Sequence, residues 1–141
     1  MRDIDKIIVH CTATREGATV SLDTVRRWHL ERGWSDIGYH YLILLDGTIE
    51  RGRPEHTQGA HVRGYNKNSI GVSYVGGLDR NLSPKDTRTQ DQKDSLHNLL
   101  SNLMASYEDA TLHGHNEFSN KACPSFNVSK EYDYIINLYE R

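Results

Sequence analysis

A chain of 141 residues in which 17 Lys and Arg face 19 Asp and Glu carries a net charge of −2, which argues against a nucleic-acid-binding protein because such proteins are distinctly basic. The length is typical of one domain, so we treat residues 1–141 as a single unit. No apolar run reaches the ~18 residues that a membrane span requires, and no apolar stretch of a secretory signal follows the N-terminus, so we expect synthesis in the cytoplasm without a signal peptide.

The first half of the chain predicts strands on either side of a helix. Residues 6–11 form a short apolar run rich in β-branched side chains, which is typical of a buried strand. Ser21 is a suitable helix cap, and apolar residues at helical spacing follow it until Gly33. Residues 39–45 are the strongest strand candidate, and the Asp-Gly pair directly after them predicts a hairpin with a further short strand.

The second half predicts two more strands and two helices. Residues 69–75 have the composition of a central strand, and residues 110–113 are a candidate last strand. Thr89 and Gln92 have capping-box spacing, and Ser129 is a candidate cap for a terminal helix. The helix after Thr89 carries one apolar stripe, formed by Leu96, Leu99, Leu100, Leu103, Met104 and Tyr107. Strands interleaved with about three helices predict an α/β fold: a single domain with a central mixed β-sheet flanked by about three α-helices.

Histidine and cysteine side chains occur at the end of the first predicted strand and in a later loop. His10 ends the strand, while His113, His115 and Cys123 fall within the loop. Imidazole nitrogen and thiolate sulfur suit zinc, and a catalytic zinc typically has three protein ligands and an open position for water, whose pKa it lowers to ~7. We therefore predict one zinc ion bound by His10, His115 and Cys123. Spacing alone does not choose between His113 and His115.

Three further residues are candidates for roles beside the metal, and each also has an ordinary interpretation. Lys121 lies in the ligand loop, where its ammonium would stabilise a developing oxyanion, although exposed lysines are common. Tyr39 would orient or deprotonate the attacking water, or would be a core tyrosine. His61 would contact substrate from a Gly- and Asn-rich segment, or would belong to a plain polar loop. Cys11 should point away from the His10 face, because neighbours on a strand face opposite sides.

Several motifs, in order along the chain, resemble one family. They include IIVHCTAT at residues 7–14, GWSDIGYH at residues 33–40, GYNKNSIGV at residues 64–72 and NKACPSF at residues 120–126. With these motifs the chain resembles the zinc-dependent N-acetylmuramoyl-L-alanine amidases that are related to peptidoglycan recognition proteins. It is most similar to the small phage lysozyme-type amidases. The resemblance runs from about residue 4 to residue 126, and several ordered motifs together are more specific than any one of them.

The resemblance implies a role for each candidate residue. It places the second zinc histidine eight residues before the ligand cysteine, which selects His115 over His113. The implied site residues are, for zinc, His10, His115 and Cys123; for catalysis, Tyr39 and Lys121; and for substrate contact in the cleft, His61. The family fold is a central mixed sheet flanked by helices, in agreement with the fold predicted from the strand and helix patterns.

The resemblance also implies an enzyme that hydrolyses the amide bond between N-acetylmuramic acid and L-alanine in peptidoglycan, and in particular a phage or prophage cell-wall lysis enzyme. Its partner is then peptidoglycan or a muropeptide, and it would act on the cell wall after release from the cytoplasm. Two alternatives stay open: a peptidoglycan-binding module without turnover, and a metal-free thiol hydrolase that uses Cys123 with His115. The sequence identifies no protein regulator.

Overall fold

A five-stranded sheet organises residues 2–141, the part of the chain that the computed structural model describes. Its strands are β1 (Lys6–Cys11), β3 (Tyr41–Ile43), β4 (Ile49–Arg51), β5 (Ser69–Tyr74) and β7 (Thr111–Gly114), in the spatial order β4-β3-β5-β1-β7. β1 runs parallel to β5 and β7, β3 runs parallel to β5, and β4 runs antiparallel to β3, so the sheet is mixed. A second, two-stranded parallel sheet joins β2 (Thr14–Arg15) to β6 (Gly77–Leu78).

Four α-helices occur in the described part of the chain, and side-chain caps explain where three of them begin. They are α1 (Leu22–Glu31), α2 (Gln90–Ser106), α3 (Val128–Glu131) and α4 (Asp133–Leu138). The Ser21 hydroxyl accepts a hydrogen bond from the backbone N–H of Thr24 at the start of α1. Thr89 and Gln92 form the predicted capping box of α2, and Asn127 caps α3. No helix among residues 2–141 is both long and apolar enough to cross a membrane.

The two faces of the sheet carry side chains of different size. On β5, large apolar residues alternate with small ones, in the order Ser69, Ile70, Gly71, Val72, Ser73 and Tyr74. The three large residues belong to the main core, which also receives the buried side chains of α2. The three small residues therefore face the other side of the sheet, where His10 of β1 is paired with Ser73 of β5. This strip of small side chains leaves the space in which the candidate site is built.

The structure confirms the α/β class with a central mixed sheet and changes three local predictions. The predicted hairpin is present, but its strands are short, and β3 begins only at Tyr41. The terminal helix is divided at Tyr132, so there are four helices rather than about three, and Asn127 rather than Ser129 supplies the cap. The loop predicted after β1 contains β2, whose two residues are too few for a hydrophobic pattern to reveal.

Candidate active site

A cleft of about 680 Å³ opens beside α1 at the C-terminal end of β1. Trp28 and Trp34 supply aromatic side chains to its wall. Among the described residues that line the cleft, the Lys, Arg, Asp and Glu side chains are Arg32, Arg63 and Lys121, and all three are cationic. The cleft therefore presents positive charge, although the whole chain has a net charge of −2.

Three potential metal ligands, His10, His115 and Cys123, converge in this cleft. Their ligand atoms all lie within 4.8 Å of one another, and they form the one such group within residues 2–141. His10 Nδ1 is 3.8 Å from Cys123 Sγ. His113, which spacing had left as an alternative ligand, instead places its Nδ1 2.8 Å from a carboxylate oxygen of Glu117. The structure thus brings together the three residues that the sequence predicted.

The register of the sheet explains why the two histidines meet. β1 and β7 are parallel neighbours, and Val9 is paired with Gly114. A histidine follows each of these two residues, His10 within β1 and His115 directly after the end of β7, so both lie at the same end of the neighbouring strands. Parallel pairing therefore places two imidazoles side by side although 105 positions separate them, counted as 115 minus 10.

The loop that carries Cys123 is fastened to two strands of the sheet. The backbone N–H of Cys11, the last residue of β1, donates a hydrogen bond to Cys123 Sγ at 3.2 Å. The Tyr74 hydroxyl, at the end of β5, donates to the carbonyl oxygen of Pro124 at 2.6 Å. These two contacts hold the sulfur where the histidines emerge.

The chemistry of this donor set fits zinc. Imidazole nitrogen and thiolate sulfur are both ligands that bind zinc, and a catalytic zinc typically has three protein ligands and keeps a fourth position open. Burial lowers the pKa of both His10 and His115, so their rings are neutral and offer lone pairs at neutral pH. In the metal-free protein, contact with the Cys11 side chain together with burial raises the pKa of the Cys123 thiol. Coordination to a metal removes such a proton, so the three residues are suited to hold zinc.

Tyr39 and Lys121 also line the cleft. The centroid of the Tyr39 ring is 5.3 Å from that of His10, and burial raises the pKa of Tyr39. Its hydroxyl is therefore protonated at neutral pH, which leaves its hydrogen available for donation. Lys121 is exposed and takes part in none of the salt bridges found among residues 2–141. Burial is the main cause of the lowered pKa of His115, and the positive charge of Lys121 is the second cause. This indicates that the Lys121 ammonium lies near the ligands.

His61 lies against His10 on the cleft floor, and only 9% of it is exposed. Its Nδ1 is 2.8 Å from His10 Nε2, and its Nε2 is 3.1 Å from the Ser69 hydroxyl. Both ring nitrogens therefore have partners within the fold. The contact between His61 and substrate, which the resemblance implies, stays a prediction.

Two polar residues that support the site were missed by sequence reasoning. One is Ser69, the partner of His61 on β5. The other is Asn66, whose side-chain oxygen accepts hydrogen bonds from the backbone N–H groups of His61 and Val62, both at 2.9 Å. The small residues at alternate positions of β5 and an asparagine in a turn were available signals, but neither pattern states which side chain it will contact.

Comparisons with known proteins agree with this geometry. Residues 1–126 match the family model described as N-acetylmuramoyl-L-alanine amidase. The chain is 46% identical over 129 residues to the endolysin of Escherichia phage T7, covering 92% of this chain and 85% of that one. It is 31% identical to peptidoglycan-recognition protein SC2 of Drosophila melanogaster, covering 88% and 70% of the two chains. Its fold matches the N-acetylmuramoyl-L-alanine amidase LysC of Clostridium intestinale with a TM-score of 0.81 and 30% identity, covering 99% of this chain and 87% of that chain.

Proposed function

The chain belongs to the N-acetylmuramoyl-L-alanine amidase family, and we propose that it acts with a zinc ion held by His10, His115 and Cys123. Its reaction is hydrolysis of the amide bond between N-acetylmuramic acid and L-alanine in peptidoglycan. The observation that carries the metal proposal is the convergence of two imidazoles and one thiol within 4.8 Å in the cleft.

Zinc, when bound, supplies Lewis-acid chemistry, because it polarises a carbonyl group and lowers the pKa of water to ~7. His10 and His115 contribute neutral nitrogen donors, and the Cys123 thiolate offsets one positive charge. The backbone N–H of Cys11 hydrogen-bonds to the sulfur at 3.2 Å and fixes its position from behind. These residues would hold and orient the zinc ion, while the reacting groups of the substrate would lie in the cleft.

Two cleft residues act on the reacting groups in this proposal. Tyr39 orients the attacking water through its protonated hydroxyl, and its raised pKa disfavours the alternative role of a general base. Lys121 stabilises the oxyanion that forms on the carbonyl oxygen of the scissile amide. Its ammonium is suited to this role because it lines the cleft without being held by any carboxylate among residues 2–141.

We further propose that the chain is a cell-wall lysis enzyme of a phage or prophage. The support is its 46% identity to a phage endolysin, which extends over 92% of this chain. Its substrate is then peptidoglycan of the cell wall, or a muropeptide derived from it, reached after release from the cytoplasm. Recognition proteins such as the Drosophila relative are also similar in sequence to this chain, so turnover must be measured separately from binding.

The proposal is tested by removing and restoring zinc. We expect one zinc per chain by elemental analysis, loss of activity on purified cell walls after dialysis against a chelator, and recovery on addition of zinc. Mass spectrometry of defined muropeptides should show cleavage between the lactyl group and L-alanine. Activity that persists after complete zinc removal would overturn the metal mechanism and favour the thiol hydrolase. Wall binding without released peptide would indicate a recognition module.

The loop histidines offer a matched pair of variants for this test. His115→Ala removes a proposed ligand, and we expect it to lose both zinc and activity. His113→Ala removes an imidazole two positions away that pairs with Glu117 instead, and we expect it to keep one zinc per chain. If the two variants behaved in the opposite way, the assignment of the second histidine ligand would be wrong.

A further inference from the structure

A chain of hydrogen-bonded side chains runs from the proposed metal ligand His10 into the fold. His10 directs Nδ1 toward Cys123 Sγ, at 3.8 Å, and Nε2 toward His61 Nδ1, at 2.8 Å. The other nitrogen of His61 is 3.1 Å from the Ser69 hydroxyl. His10 is 1% exposed, His61 is 9% exposed and Ser69 is 0% exposed, so solvent does not compete along the chain.

The tautomers of the two rings follow from this order. If His10 offers the lone pair of Nδ1 to a metal, its Nε2 must carry the hydrogen. That N–H then donates to His61 Nδ1, which must be unprotonated, and the hydrogen of the His61 ring lies on Nε2 and donates to Ser69 Oγ. Each donor thus finds one acceptor while both rings stay neutral, and only one tautomer of His61 satisfies the whole chain.

The surrounding fold is shaped to hold the His61 ring in this place. Asn66 accepts hydrogen bonds from the backbone N–H groups of His61 and Val62, which fixes the segment that carries the ring. On β5 beneath the ring, Gly71 supplies the necessary space, because a Cβ atom there would lie 2.6 to 2.7 Å from three atoms of the ring. A Cβ atom at Gly59 would likewise lie 2.9 Å from His61 Cδ2.

We propose that His61 is a positioning residue that fixes the tautomer and orientation of His10 for zinc, with Ser69 holding His61 in turn. The inference rests on the proposed function, since it requires His10 to be a metal ligand. It assigns His61 to the metal site rather than to substrate. Partners of this kind on ligand histidines typically contribute 10- to 100-fold to metal affinity.

The test is the zinc dissociation constant, measured by competition with a chromophoric chelator. His61→Leu removes the acceptor and keeps similar bulk, and we expect zinc affinity to fall by about 10- to 100-fold. His61→Asn places an amide oxygen near the position of Nδ1, and we expect it to recover most of the affinity. His61→Gln places its amide further along the side chain, near the position of Nε2, and should stay weak. Because Asn and Gln differ only in reach, their comparison decides the question even if the Leu variant folds poorly.

The kinetic readout separates positioning from substrate contact. At zinc concentrations that saturate each variant, we expect KM for a muropeptide to stay within about twofold of wild type. A wild-type zinc dissociation constant in both His61→Leu and His61→Gln, together with a raised KM, would overturn the inference and favour the substrate contact. If the wild-type protein itself bound no zinc, the proposed function would fail instead, so the two failures are distinguishable.

A second variant probes the far end of the chain. Ser69→Ala removes the acceptor for His61 Nε2–H, and we expect a smaller loss of zinc affinity than in His61→Leu. Ser73→Ala, four positions along the same strand, is the matched control, because the Ser73 hydroxyl hydrogen-bonds to neither His10 nor His61. Equal zinc affinities in the two serine variants would show that Ser69 takes no part in positioning.

Discussion

The two serines on the site face of β5 allow a sharp test of the hydrogen bonding beneath the site. Ser69 and Ser73 are both 0% exposed, but Ser69 hydrogen-bonds to the ring nitrogen of His61 at 3.1 Å, whereas the Ser73 hydroxyl lies near the Tyr39 hydroxyl and makes no hydrogen bond of ordinary geometry among residues 2–141. Ser69→Ala leaves a buried N–H of His61 unpaired, which costs about 1–3 kcal/mol of stability. Ser73→Ala removes a buried hydroxyl that makes only a weak contact with the Tyr39 hydroxyl, so we expect at most a slight loss. The free energies of unfolding should therefore differ by at least about 1 kcal/mol.

Urea unfolding of the metal-free proteins near pH 7.5 measures this difference without a contribution from zinc. The dependence of the unfolding free energy on urea concentration should be the same for the two variants, so that the difference between their midpoints reports stability alone. A Ser73→Ala protein as destabilised as Ser69→Ala would refute the reasoning, because it would mean that the Ser73 hydroxyl has a stabilising partner. An unchanged Ser69→Ala protein would show that its contact with His61 contributes nothing to folding.

Three further predictions concern turnover, packing and pH. Lys121→Ala should keep one zinc per chain but lose about 10²- to 10³-fold in kcat, as expected for removal of an oxyanion-stabilising group; loss of zinc as well would contradict the assignment of Lys121. Gly71→Ala should lower the free energy of unfolding by about 1–3 kcal/mol and weaken zinc binding, because its Cβ would lie 2.6 to 2.7 Å from the His61 ring; a wild-type zinc dissociation constant would argue against this coupling. Burial lowers the pKa of His29 and His40 to about 4, so stability should be fully present above the unfolded pKa of ~6.5 and should fall as pH decreases toward 4; urea midpoints that stay constant across this range would contradict it.

The pH prediction has a geometric basis in the way both rings accept hydrogen bonds from the backbone. The N–H of Gly38 donates to His29 Nδ1 at 2.8 Å, and the N–H of Gly71 donates to His40 Nδ1 at 3.0 Å. Protonation of either ring at Nδ1 would replace an acceptor with a second donor. The loss of stability in acid therefore needs no charge on the proposed metal ligands, and it should be measurable in the metal-free protein.

The sequence predicted much of the fold because local signals agreed with one another. The apolar run of β1, the capping box of α2 and the hairpin after β3 each depend on neighbours within a few positions, so the pattern contains the needed information. The division of the terminal helix at Tyr132 was not predictable in this way, since Ile135 and Tyr139 continue an apolar stripe that looks unbroken. The pairing of β2 with β6 joins two-residue segments through a long-range contact, which no local pattern reports.

At the candidate site, too, the sequence predicted which residues take part but not how they are arranged in space. Residue types predicted His10, His115 and Cys123 as ligands, the motif resemblance chose His115 over His113, and the register of β1 with β7 supplies the physical reason why the two histidines meet. The resemblance also placed His61 in the cleft but could not show which atoms it faces. That information is in the 2.8 Å and 3.1 Å contacts of its two ring nitrogens, which depend on strands and loops far apart in the chain.

β5 connects the packing of the fold with the chemistry of the site. Its large residues fill the core on one face, where the usual rules of volume apply and a similar apolar side chain would be tolerated. Its small residues, Ser69, Gly71 and Ser73, face the buried rings instead. A strand of the same hydrophobicity with larger side chains at these positions would still pair with β1, but it would displace His61 and with it the partner of His10. Substitutions on the two faces of β5 should therefore have different effects. Changes on the core face should alter only the free energy of unfolding, whereas changes on the small-residue face should also alter zinc affinity.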